Sequence, residues 1–131
     1  MAGKSTTYEA RTLEYNLGLS APASPTGTYL ALFTVAPTDS SPGSGEVSGG
    51  GYARQPITWG ATSGGSPTTV SNSATITFPT ATASWGTIVA FAVFDAATAG
   101  NIIYWGTLTS VTVNASNQVV VNAGSLTITE D

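Results

Sequence analysis

Between Gln55 and Thr129 the chain carries a single charged residue, Asp95. Few folds tolerate such a stretch. Globular domains are about one-quarter charged, whereas charged residues make up 8% of this sequence. Lone monomers also keep charges on strand edges to stop those edges pairing with a neighbour. Assembly with other chains is therefore the first expectation.

The 131 residues suit one core, and the 41% hydrophobic content is enough to build it. Intrinsic disorder requires low hydrophobicity with high net charge; this chain has a mean hydropathy of +0.17 and a net charge of -4. Three cations, Lys4, Arg11 and Arg54, stand against seven carboxylates. They cannot form the basic stripe that phosphate binding needs, so nucleic acid is not an expected partner.

The chain has neither cysteine nor histidine. Disulfides, thiolate chemistry, Cys or His metal sites and the Ser-His-Asp constellation are excluded together. No cofactor is expected. The segment before Gly18 lacks the apolar stretch of a secretory signal, and no run approaches the length needed to span a bilayer, so no membrane contact is expected either.

Residues 5–18 read as one short helix, with Ser5 or Thr6 as cap, Glu9 as capping-box partner of Thr6, and Gly18 as terminator. After a Pro-containing linker at 21–27, short β-branched segments alternate with Gly, Pro, Asn and Ser. They predict strands at 28–35, 52–59, 74–78, 87–95, 102–109, 111–113, 118–122 and 125–129. The fold class is all-β: an antiparallel β-sandwich, jelly-roll-like, of about eight strands, with a short N-terminal helix or arm. Residues 1–27 form the arm and 28–131 the sandwich.

Residues 28–35 and 87–94 are apolar on both faces, with Ile88, Ala90, Ala92 and Phe94 expected on one side and Val89, Phe91 and Val93 on the other. A strand covered on both sides is central or packs on another subunit. Residues 74–78 and 125–129 instead alternate Thr with Ile, Leu or Phe, and should expose one side. Residues 95–101 end in Gly-Asn and predict a hairpin. Residues 37–51, rich in Ser, Pro and Gly, predict a long loop that is functional, an assembly arm, or flexible. Trp59, Trp85 and Trp105 each precede a glycine, which places each at a strand end as a core or seam anchor.

Little chemistry is on offer. Gly49-Gly50-Gly51 lacks the Lys-Ser/Thr pair of a phosphate loop. Asp39, Glu46 and Asp95 are the acids outside the termini; they lack EF-hand spacing, and a glycosidase needs two facing acids. Enzymatic activity is not expected. Arg54, the cation of the β region, and Asp95, the acid of the charge-poor stretch, are expected to pair. Tyr52, Tyr104 and Trp105 are candidate interface aromatics that fill a core or interface, or present rings to a sugar. Asn114-Ala-Ser116 matches a glycosylation sequon by chance.

Four segments, Tyr29-Leu-Ala-Leu-Phe-Thr-Val-Ala-Pro-Thr-Asp39, Glu46-Val-Ser-Gly-Gly-Gly-Tyr-Ala-Arg-Gln55, Ile76-Thr-Phe-Pro-Thr-Ala-Thr-Ala-Ser-Trp-Gly86 and Phe94-Asp-Ala-Ala-Thr-Ala-Gly-Asn101, resemble a family of small tailed-phage virion proteins. Its members are often labelled phage tail fiber proteins, and such small β proteins also resemble capsid cement or decoration proteins. The resemblance covers nearly the whole chain; residues 40–45 depart from it as a longer Ser-Pro-Gly insertion. It implies a virion structural protein assembled in the host cytoplasm. The leading expectation is a cement protein whose partners are the major capsid protein and itself, with a trimer by analogy. The alternative is a tail fiber or baseplate component that binds host carbohydrate.

Overall fold

The computed structural model describes residues 3–130. Its main sheet is built from β1 (Gly3–Lys4), β2 (Tyr29–Phe33), β3 (Gln55–Pro56), β6 (Gly86–Phe94) and β7 (Ile102–Val113), ordered β1-β7-β6-β2-β3. Two ribbons complete the fold: β4 (Thr68–Ser71) with β9 (Thr127–Glu130), and β5 (Ile76–Thr77) with β8 (Val120–Val121). Every pairing is antiparallel. The described residues therefore form an all-β, sandwich-like fold, as the sequence predicts.

β2 and β6 are central because they have no polar face to give to water. Leu30, Leu32, Ile88 and Val93 enter the larger cluster, where Ile76, Phe78, Leu126 and Ile128 meet them from the ribbons. Ala31, Phe33, Ala90, Ala92 and Phe94 build a second cluster on the opposite face. There Phe33 and Phe94 stack with centroids 6.3 Å apart and planes 3° from parallel. The one-sided strands also follow their pattern: Ile76, Phe78, Leu126 and Ile128 are buried, while Thr77 and Thr127 are exposed.

One expected alternation fails. Ile88 and Ala90 lie in different clusters, because the β6–β7 register shifts between them and a bulge turns the strand over. A second shift beside Phe94 puts Ile103 and Tyr104 on the same side. Trp105 also departs from expectation. It sits inside β7, with Gly106 opposite Phe91, so its glycine marks no strand end. The structure adds β1 and β4, and it joins the two strands expected at 102–113 into β7.

Helix α1 (Thr6–Asn16) starts at Ser5, whose hydroxyl accepts from the Tyr8 amide at 3.4 Å and donates to the Ile102 carbonyl. Glu9 lies one position too late to close a capping box. The end is a Schellman motif: Gly18, at φ +70°, donates to Tyr15 at 3.3 Å and Leu19 to Glu14 at 2.8 Å.

The 37–51 loop is fastened to the rest of the fold at two places. Thr34 donates to Gly45 at 2.8 Å and Val47 to Leu32 at 3.0 Å, which lays residues 45–47 beside the end of β2. The Asp39 carbonyl receives the Thr6 amide at 2.8 Å, so the loop also fastens the start of the helix.

The 95–101 hairpin forms as predicted. Asp95 donates its amide to Asn101 at 3.1 Å, and its carboxylate receives the Asn101 amide at 2.8 Å. Gly100 turns the chain at φ +74°, where an added Cβ would lie 2.5 Å from Asp95 Oδ1. Gly100→Ala combines left-handed strain with displacement of that carboxylate. It should lower unfolding free energy by about 2 kcal/mol in urea titration.

Candidate functional site

Charge is scarce, so the placement of each charged side chain is informative. Arg54 extends from the residues just before β3 to cover Phe94, its guanidinium carbon 3.5 Å from the ring centroid. Its Nε and Nη2 each donate to a Glu46 oxygen at 2.8 Å, forming a two-pronged ion pair. Its Nη1 donates to the carbonyls of Ala96 at 3.0 Å and Ala99 at 2.7 Å. The Arg54 side chain is only 8% exposed, and this set of acceptors offsets its desolvation.

The expected Arg54–Asp95 pair therefore does not form. Asp95 spends one oxygen on the Asn101 amide and the other on the Tyr8 hydroxyl at 2.9 Å. Arg54 instead takes carbonyls from the hairpin that Asp95 opens. Glu46 is available because residues 37–51 fold back along β2, which brings it opposite Phe33.

The three candidate aromatics do not converge. Tyr52 is half-buried between Phe78, at 6.1 Å, and the edge of Trp85, at 5.5 Å. Its hydroxyl accepts from the Leu32 amide at 3.1 Å and donates to Glu46 at 2.8 Å, so it belongs to the Arg54 junction. Trp105 packs on the smaller cluster and donates to Asp39 at 2.7 Å. Tyr104 packs against the larger cluster.

Tyr104 borders a cleft of about 310 Å³ between the main sheet and the β4–β9 ribbon. Val93, Ile103 and Ile128 line its floor, with Trp59, Thr28 and Glu130 around it. Trp59 is fixed by donation from its indole to Thr28 Oγ1 at 2.8 Å. Glu130 accepts from the Tyr104 hydroxyl at 3.1 Å and pairs with Lys4, whose ammonium lies 5.7 Å from the Tyr104 centroid. Apolar walls, two ring systems and one engaged carboxylate can hold the apolar face of a small molecule or a side chain. They do not supply the two facing acids of glycoside hydrolysis.

Sequence reasoning passed over Trp59 as a cleft residue and Lys4–Glu130 as a tie. The signal for the latter was the clustering of charge near both ends of a chain that is otherwise almost without it. Among the described residues, no group of three or more acidic side chains has metal-binding geometry.

A family model described as Podophage GP4 fiber I protein gp80 matches residues 3–129. The chain belongs to this family. It is a bacteriophage structural protein, and the resemblance to tailed-phage virion proteins is borne out. No curated protein matches the chain. No helix among the described residues of this fiber-family protein is long and apolar enough to cross a membrane.

Two predictions follow from this site's electrostatics. Arg54→Ala leaves Glu46 without its cation and the Ala96 and Ala99 carbonyls without their donor. It should cost about 3–5 kcal/mol of unfolding free energy, with Arg54→Lys falling between it and the native chain because lysine has no fork. The pH dependence comes from the tyrosines. Burial, and then the Asp95 bond, raises Tyr8 from 10.0 to about 12. Burial, and then the charge of Glu130, raises Tyr104 from 10.0 to about 12. Burial also pushes Tyr52 upward. The folded state holds these protons more tightly, so the associated stability is complete below the unfolded pKa of 10.0 and is lost as pH rises towards 12. Urea midpoints should fall across that window, and less steeply in Tyr104→Phe.

Proposed function

We propose that the chain is a non-catalytic structural subunit of the phage fiber apparatus that works by assembling with copies of itself and with neighbouring virion proteins. The observation that carries this reading is the use made of the acids in the β body. Asp39 is bonded to Trp105, Glu46 to Arg54 and Tyr52, Asp95 to Tyr8 and Asn101, and Glu130 to Lys4 and Tyr104. Each fastens one part of the chain to another, which is the use of charge expected in a building block. The surface also carries exposed apolar side chains past the end of α1, with Leu17 68% and Leu19 73% accessible. Such a surface favours contact with other protein over free solution.

The family match supports a fiber role over shell cementing. The cement reading, with the major capsid protein as partner, drew on low charge, two-faced apolar strands and an arm formed by the N-terminal helix or the 37–51 loop, and within that loop residues 45–47 are bonded beside β2. A second role, contact with host carbohydrate, is favoured by the Trp59 and Tyr104 rings beside the apolar cleft, since aromatic faces stack against the C–H face of a sugar.

Quantitative mass spectrometry of separated heads and tails tests the primary reading. The expected result is recovery with the tail and fiber fraction. Abundance on tail-free heads would overturn it in favour of cementing. Applied to a glycan array, the native chain should bind and Trp59→Ala should not if the cleft contacts carbohydrate; equal signals would remove that second role.

A further inference from the structure

β7 has two edges, and they are treated differently. Its inner edge pairs with β6 from Val113 to Ile102. On its outer edge the strand pairing among the described residues is Gly3 with Trp105 and Lys4 with Tyr104. Beyond Trp105 the outer edge continues through Gly106–Thr107–Leu108–Thr109–Ser110–Val111–Thr112–Val113, and among the described residues no strand lies alongside it. Thr107, Thr109, Ser110, Val111 and Thr112 are exposed, and Val111 leaves 49% of its surface accessible. The run has no charge and no proline to blunt it, and its one irregularity is the bulge between Thr107 and Val111.

We propose that this edge pairs antiparallel with the same edge of a second copy, continuing the sheet across a two-fold axis. The choice of occupant comes from the sequence of the edge. Setting Thr109 opposite Ser110 of the second copy puts Leu108 against Val111 and Thr107 against Thr112. Apolar side chains then meet apolar ones, and hydroxyls meet hydroxyls.

A two-fold pairing requires opposed residues to lie on one face of the sheet, and residues three apart in a regular strand do not. The bulge resolves this. Leu108 packs against the larger cluster, and Val111 lies opposite Ile88, a member of that same cluster, so both point to one side. Hydroxyl pairing across strands is already practised within the chain, between Thr87 and Thr112 at 3.0 Å and between Ser71 and Thr127 at 2.8 Å. Such cross-strand pairs each contribute modestly, and the ladder of main-chain bonds adds to them.

The inference rests on the reading of self-assembly and specifies it as a two-fold pair in place of the trimer expected by analogy. Light scattering on the purified chain should give twice the 13.2 kDa monomer mass. Thr109→Lys should give the monomer mass with an unchanged circular dichroism spectrum, while Thr98→Lys, in the hairpin, should stay paired. Because the chain has no cysteine of its own, the double variant Leu108→Cys, Val111→Cys should form a disulfide-linked dimer on oxidation, and neither single variant should. A monomeric native chain overturns both the pairing and the self-assembly reading. An oligomer that Thr109→Lys leaves intact, a three-fold mass, or cross-linking by a single variant overturns this edge and register while leaving self-assembly standing.

Discussion

The guanidinium of Arg54 is the point on which three otherwise separate parts of the molecule meet. It fixes residues 37–51 through Glu46, holds the 95–101 hairpin by two carbonyls, and lies over Phe94, whose other neighbour is Phe33. Without this lid the smaller aromatic cluster would face water on a sheet whose opposite side is already occupied. A planar cation suits the position, because it stacks on a ring while its edge donates in the plane.

The remaining ionic contacts follow the same logic. Lys4 and Glu130 tie the first strand to the last, and Asp39 anchors Trp105. Charge is used inside the molecule as fastening, and the outer strands are left to threonine and serine. β-branched hydroxyl residues favour extended backbone without the repulsion that keeps chains apart. The low charge of the sequence and the use of most of that charge for internal ties are therefore two descriptions of one design.

The sequence was most legible where a pattern repeats over many residues. The central position of β2 and β6 followed from apolar residues on both faces, and the one-sided strands from the Thr/Ile alternation of 74–78 and 125–129. The hairpin followed from Gly100-Asn101, and the family from four motifs spread along the chain. β1 spans two residues and has no period to detect. The bulge between Ile88 and Ala90 is a property of the pairing with β7, so β6 alone predicted a false alternation. Arg54 was assigned the wrong carboxylate because residues 37–51 looked like open loop. Once the backbone of Thr34 and Val47 fastens that segment to its neighbours, Glu46 becomes the nearer acid and Asp95 is already occupied. The Trp59–Tyr104 cleft was equally hidden, since its walls come from strands far apart in sequence.

The Lys4–Glu130 tie has a mechanical meaning. It brings the two ends of the described chain to one place, and the strands that carry them, β1 and β9, each pair with a single neighbour. Tension applied between residues 4 and 130 would peel these strands away bond by bond, without shearing a long ladder all at once.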